Sequence, residues 1–169
     1  EALLAGAPAL ALIGLLVGFY FLNWIPPVPL SMKFGGMYHE VKRAGDHFEL
    51  SYEKRWFQVW QRSNTTVAAD EPIYCFTAVF APVTLKTTVY HHWYYRSDKS
   101  KPFSHADKIP LKIAGGREGG YRAYTFKQGL DVGDWRVDVE TEDGRVIGRV
   151  PVHVEKRDDA SRSLTTIVY

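Results

Sequence analysis

Residues 73–81 (IYCFTAVFA) carry apolar side chains on both alternating sets. Tyr74, Phe76, Ala78 and Phe80 form one face, and Ile73, Cys75, Thr77 and Val79 the other. Two-residue alternation predicts a strand, and apolar residues on both faces predict a central one. Residues 85–96 (LKTTVYHHWYYR) are long, β-branched and aromatic, and predict another strand. Shorter alternations at 108–113 and 121–127 predict two more. The clearest unit is 135–154. Trp135, Val137 and Val139 alternate with Arg136, Asp138 and Glu140, which are expected to face out. Asp143-Gly144 supplies the positive φ of a hairpin turn, and Val146, Gly148, Val150, Val152 and Val154 share one face of the return strand. Pro151 marks an edge or a bulge there. Residues 38–41 and 48–52 predict a hairpin around Ala44-Gly45-Asp46. Residues 54–62 (KRWFQVWQR) fit a helix gathering Trp56, Val59 and Trp60, or a strand stacking Trp56 with Trp60. The segment 156–169 reads as a loose tail or a last strand docked on a neighbour.

About seven short strands with turn signals between them predict an immunoglobulin-like antiparallel β-sandwich. No strand–helix alternation suggests a nucleotide-binding α/β domain. The domain limits expected are 1–24 for an apolar helix, 25–36 for a proline- and glycine-rich collar, 37–155 for the sandwich and 156–169 for a tail.

The N-terminal run changes the picture. From Ala2 to Met32 there is no charged residue, and residues 2–24 are about long enough to span a bilayer. A signal peptide fits poorly, because no basic region precedes the run and no small-residue cleavage site follows Phe19. Pro8 suits a first turn, so the regular helix is expected from about there to Asn23. Tyr20 and Trp24 suit an interfacial belt, and Pro26, Pro27 and Pro29 end the helix. Gly14-x-x-x-Gly18 is a close-approach motif for helix pairing. Basic residues after the helix would place the domain in the cytoplasm, but that rule is weak for a large domain. The chain begins with Glu rather than Met, so a fragment or processed product is expected.

Of 169 residues, 24% are charged, with 21 Lys+Arg against 19 Asp+Glu. That balance excludes wholesale disorder, and the lack of any like-charge block argues against a nucleic-acid binder. A single cysteine, Cys75, excludes an internal disulfide framework and a cysteine-based zinc site. The default for Cys75, between Tyr74 and Phe76, is a small buried hydrophobe.

Residues 115–120 (GGREGG) are the most unusual local feature. Four glycines with Arg117 can form an anion-binding nest, with Gly116, Gly119, Arg117 and Arg122 as candidate ligand-binding residues. The loop lacks the Lys-Ser/Thr ending of a phosphate loop, and a wide inter-strand connection is the favoured reading. His91 and His92 point to opposite faces of a strand and cannot share a metal without a bulge. No metal-binding or nucleophile motif stands out, and no cofactor is implied. Tyr90, Trp93, Tyr94 and Tyr95 read as core or protein contact rather than a sugar platform. Asn64-Thr65-Thr66 is a glycosylation sequon by pattern.

The series at 109–113 (IPLKI), 115–122 (GGREGGYR), 133–141 (GDWRVDVET) and 143–149 (DGRVIGR) resembles a bacterial family whose C-terminal module is a domain of unknown function. Residues 24–31 (WIPPVPLS) and Tyr38-His39 resemble the membrane-exit segment of its proteobacterial relatives. The resemblance implies an inner-membrane protein with a periplasmic β-rich domain, several membrane helices upstream in longer members, and no established activity. The expected function is therefore non-enzymatic: a membrane-anchored interaction module, an accessory subunit of a larger complex. Lipid and other membrane subunits would be its partners, through Gly14 and Gly18 in the helix and Trp56 or Trp60 on the domain. The alternative is binding of an envelope glycan or anionic ligand. An enzymatic reading needs a cleft that brings His91 or His92 to an aspartate.

Overall fold

In the computed structural model, residues 2–22, 30–53, 62–82, 85–115, 119–156 and 163–169 are described, with side chains from Pro8 onward. One helix, α1 (Ala2–Phe21), precedes eleven strands. In order these are β1 (Ser31–Tyr38), β2 (Glu40–Ala44), β3 (His47–Glu53), β4 (Thr66–Ala68), β5 (Ile73–Phe80), β6 (Lys86–Arg96), β7 (Ser104–Ala114), β8 (Tyr121–Lys127), β9 (Gly133–Thr141), β10 (Val146–Glu155) and β11 (Leu164–Val168).

The strands form three sheets: β1-β5-β8, β4-β10-β9-β6-β7 and β11-β3-β2. Pairing is antiparallel apart from the short β4–β10 contact. The expected sandwich is the three-stranded β1-β5-β8 sheet facing the five-stranded one. Ile73, Cys75 and Val79 of β5 meet Trp93, Val137, Val139 and Val152 across that gap. The third sheet adds a layer the sequence reading lacked. It covers the other face of β5, where Phe76 packs with Tyr38, Val41, Leu50 and Tyr52. The apolar character of both β5 faces is thus explained by a sheet on each side of it.

Strand β1 serves both layers by alternation, and a register shift between Met32 and Phe34 puts those two residues on opposite faces. Phe34 packs toward Phe76, whereas Met32 lies against Gly148 on the five-stranded sheet. A Cβ at Gly148 would collide with the Met32 side chain, so the close approach requires glycine.

The β9–β10 hairpin forms as its alternation predicts, with Gly144 at φ 81° in the turn. Pro151 is satisfied because β4 pairs with β10 only from His153 to Glu155. At Pro151 the strand is an edge, where a missing N–H costs no ladder bond. Pro110 likewise sits in β7, the outermost strand of its sheet.

Several boundaries differ from expectation. β1 starts at Ser31, inside the stretch expected as a collar, because its apolar residues are needed by both cores. Of the two readings of 156–169, a loose tail or a last docked strand, residues 164–168 take the second. They form β11, which pairs with β3 of the same chain from Leu164↔Glu53 to Val168↔Glu49. Helix α1 starts before Pro8, which lies inside it. Its exposed residues include Leu10, Leu12, Ile13, Tyr20 and Phe21. Among the described residues, no helix is long and apolar enough to cross a membrane. The membrane span expected for 1–24 is therefore not supported. Residues 54–61 and Trp24 lie outside the described residues.

Candidate functional site

The outward face of β9 was expected to be solvated. Instead Asp138 and Glu140 are buried, at 2% and 6% exposure, because neighbouring strands supply cations and rings that fold over them. The pairing register builds this as rows across the sheet. His92 lies between Lys108 and Asp138, and Asp138 lies opposite Arg149. Arg149 donates to both Asp138 oxygens at 2.7 and 3.0 Å, and the Arg136 Nε stands 3.3 Å from the same carboxylate. Arg136 is held between the Tyr94 and Phe103 rings, 4.9 and 4.3 Å from their centroids.

One step along, Glu140 receives Lys108 Nζ at 3.0 Å and lies 2.8 Å from His92 Nδ1. The Tyr94 hydroxyl also donates to Glu140, at 3.3 Å. Burial opposes the charge on Glu140, yet hydrogen bonds from Lys108 and His92 outweigh it and hold the carboxyl below its ordinary range. At the far end, Asp134 meets His153 Nδ1 at 2.7 Å and Arg96 Nε at 3.0 Å. The His153 hydrogen bond, against some burial and with help from Arg96, lowers the Asp134 carboxyl too. This face is a near-neutral, self-paired network.

The two adjacent histidines do point to opposite faces. His91 is fully buried, with Nε2 2.8 Å from the Thr77 hydroxyl and Nδ1 2.9 Å from that of Thr125. Trp93 Nε1–H donates to Thr125 at 3.2 Å. The Thr125 hydroxyl is thus shared by the indole and the imidazole. Burial lowers the His91 pKa to about 4, so the ring is neutral. His91 meets hydroxyls, and His92 meets Glu140; neither faces an aspartate in a cleft. Cys75 is buried, and burial raises its thiol pKa. Asn64 is also buried, with its Oδ1 accepting the Glu53 N–H at 2.9 Å, so the sequon is not open to a glycan.

The glycine-rich connection between β7 and β8 is described at its ends. Gly115 donates to the Leu85 carbonyl at 2.9 Å and packs so closely on Pro82 that a Cβ would land on its carbonyl oxygen. Gly120 has φ 82°. Gly116 and Arg117 lie outside the described residues. Gly119 lies against the Arg122 side chain. Arg122 does not face this loop's exterior as a free cation. It donates to the Asp46 and Tyr169 carbonyls at 3.0 and 3.2 Å, and its guanidinium stacks on the Tyr169 ring. It thus fastens β11 and the β2–β3 turn to the middle sheet.

Two further features had no signal in local pattern alone. On the outer face of the middle sheet, rings run from the core to solvent: Phe76 to Phe48 at 5.2 Å, Phe48 to Tyr124 at 6.4 Å, Tyr124 to Tyr74 at 6.0 Å and Tyr74 to Phe126 at 5.5 Å. Tyr124 is 40% and Phe126 53% exposed, where the third sheet stops short of β8. In α1, nothing lies within 4 Å of a Cβ built at Gly14 or Gly18, so no part of the described chain packs on that face. Trp56 and Trp60, the expected partner contacts, lie outside the described residues. Among the described residues, no group of three or more His, Cys, Asp and Glu could hold a metal ion.

Residues 86–154 match the family described as "Protein of unknown function (DUF2914)", consistent with the expected C-terminal domain of unknown function. The matched stretch runs from the start of β6 almost to the end of β10 and contains the whole charged face. No curated protein matches the chain. Among solved structures, an immunoglobulin-like protein from Pseudomonas aeruginosa is similar at 11% identity and a TM-score of 0.37, over 77% of this chain and 99% of that one.

Proposed function

We propose that this protein is a non-enzymatic interaction module, an anchored β-domain that serves as an accessory subunit of a bacterial inner-membrane complex. The observation that carries this reading is the run of rings ending at Tyr124 and Phe126. It extends core-like aromatic packing onto a surface that nothing in the described chain covers. Large aromatics at such a patch are the usual anchors of protein contacts. The charged face of the five-stranded sheet offers less, because its charges already satisfy one another.

Helix α1 supplies the second half of the reading. It is apolar all round, and most of its described side chains are exposed. A helix of that kind belongs in lipid or among other helices. In this proposal it holds the domain at the inner membrane, with Gly14 and Gly18 against a neighbouring helix and the β-domain on the periplasmic side.

The test is isolation of the full chain from native membranes in mild detergent, beside a Tyr124→Ser, Phe126→Ser double variant. The reading expects specific co-isolating subunits that the variant loses while its melting curve is unchanged. A wild-type protein that runs as a monomer and brings nothing with it overturns the reading.

A further inference from the structure

Most charged side chains on the five-stranded sheet are paired, but a cluster at one end is not. At the end where β7 passes to β8, a cleft of ≈ 430 Å³ is lined by Lys86, Thr87, Thr88, Lys112, Tyr121 and Glu142. Not one of these six polar side chains makes a hydrogen bond or an ion pair with another described residue. The contrast lies within single strands. On β7, Lys108 holds Glu140, whereas Lys112 holds nothing; beyond β9, Asp143 binds Arg145, whereas Glu142 beside it is unmatched.

Register explains the grouping. Lys86 lies opposite Ala114 and Thr88 opposite Lys112, so the two lysines are diagonal neighbours on adjacent strands. Like charges so placed repel, and no acid is paired with either. The wall beside them is set by backbone: Gly115 donates to Leu85 and abuts the Pro82 carbonyl. All six residues fall within the family match at 86–154.

The geometry points to this cleft as a binding site for an anionic, hydroxyl-bearing small molecule, an acidic or phosphorylated sugar of about monosaccharide size. The lysine pair takes the carboxylate or phosphate. The Thr88 and Tyr121 hydroxyls exchange hydrogen bonds with ligand hydroxyls, and Glu142 accepts from them, while Thr87, opposite Ile113, stands on the other face at the cleft's edge. The volume lies within the range of small-molecule sites. The site goes beyond the docking role proposed above and uses none of its residues. It also places anion recognition away from Arg122, which is engaged with backbone carbonyls.

The experiment is amide-resolved NMR titration of the full chain in neutral detergent micelles with glucuronic acid, glucose 6-phosphate, inorganic phosphate and glucose. Saturable shifts at 86–88, 112–114 and 142 are expected with the two acidic sugars, and these separate the carboxylate source from the phosphate source. Glucose should give none, and inorganic phosphate should bind more weakly than the phosphorylated sugar. Lys86→Ala and Lys112→Ala should each weaken binding about fivefold, as expected for an exposed charge-assisted contact. Glu142→Gln should tighten the anion's hold and loosen the hydroxyls' hold, narrowing the gap between phosphate and sugar phosphate. Absence of saturable shifts with either acidic sugar up to about 10 mM, the weak limit of specific binding, overturns the proposal. Equal binding by the Lys86→Ala, Lys112→Ala double variant overturns it as well. The spectrum of the unliganded variants checks that they are folded.

Discussion

His91 Nδ1 on β6 and Thr125 Oγ1 on β8 lie 2.9 Å apart across the interior between two sheets. With Thr77 on β5, 2.8 Å from the other ring nitrogen, they make a polar bridge inside an apolar gap. Such a bridge fixes how the sheets align, because a displaced layer would leave buried donors unmatched.

Acid should loosen this bridge before it affects most carboxylates. The folded-state pKa of His91 is lowered to about 4 from 6.5, so the unfolded chain takes up the proton first. The associated stability is fully present above about pH 6.5 and is lost as pH falls toward 4, to a limit of about 3 kcal/mol. Urea midpoints from pH 7.5 to 4.5 should show the decline, and His91→Gln, which bonds without titrating, should flatten it. Identical pH slopes for the two proteins would count against this account.

Gly115 and Gly144 should respond very differently to alanine. At Gly115 the new methyl meets the Pro82 carbonyl, and a shift of backbone is needed. A loss of about 2 kcal/mol or more is expected there. At Gly144, φ is 81° but nothing lies within 4 Å, so only the backbone strain of about 1 kcal/mol remains. Thermal unfolding of the two variants checks the order.

Asp138 should be the costliest charge to remove from the outer face of the five-stranded sheet. Asp138→Ala leaves Arg136 and Arg149 without their shared acid beside a nearly closed site. About 3 kcal/mol is expected. Arg149→Ala should cost less, since that side chain is 52% exposed and Arg136 still faces Asp138. A double-mutant cycle should show coupling between 138 and 149 well above that between 143 and 145, where both partners are exposed.

Arg122→Ala should release β11 without melting the rest. Hydrogen exchange at 165–168 should quicken about tenfold, while β9 amides keep their protection, because Arg122 ties Tyr169 to the β2–β3 turn and reaches nothing on the five-stranded sheet. Uniform loss of protection across both sheets would contradict that assignment.

Local pattern carried much of the fold. Strands β5 and β8, the β9–β10 hairpin and the β2–β3 hairpin follow from two-residue alternation and turn glycines. What it missed depends on distant partners. Residues 164–168, short and half exposed, read equally as a tail or a last docked strand, and only the pairing with β3 decides for the strand. Asp138 and Glu140 obey the outward alternation, but their burial comes from Lys108 and Arg149 on other strands and Phe103 in the β6–β7 connection. Arg122 looked like a ligand-binding cation, while the carbonyls it holds belong to Asp46 and Tyr169. Lys86 and Lys112 gave no signal singly, since their grouping is a matter of register.

The third sheet also imposes an order on how the chain can finish folding. Ser51 of β3 and Thr166 of β11 share a hydroxyl contact 115 residues apart in sequence. On a ribosome, β2 and β3 would emerge long before the strand that completes them. Until then β3 has an open edge, and Leu50 and Phe76 lack part of their cover. Contacts of such sequence separation form slowly, so the nascent β2–β3 hairpin is the stretch most in need of a chaperone's protection.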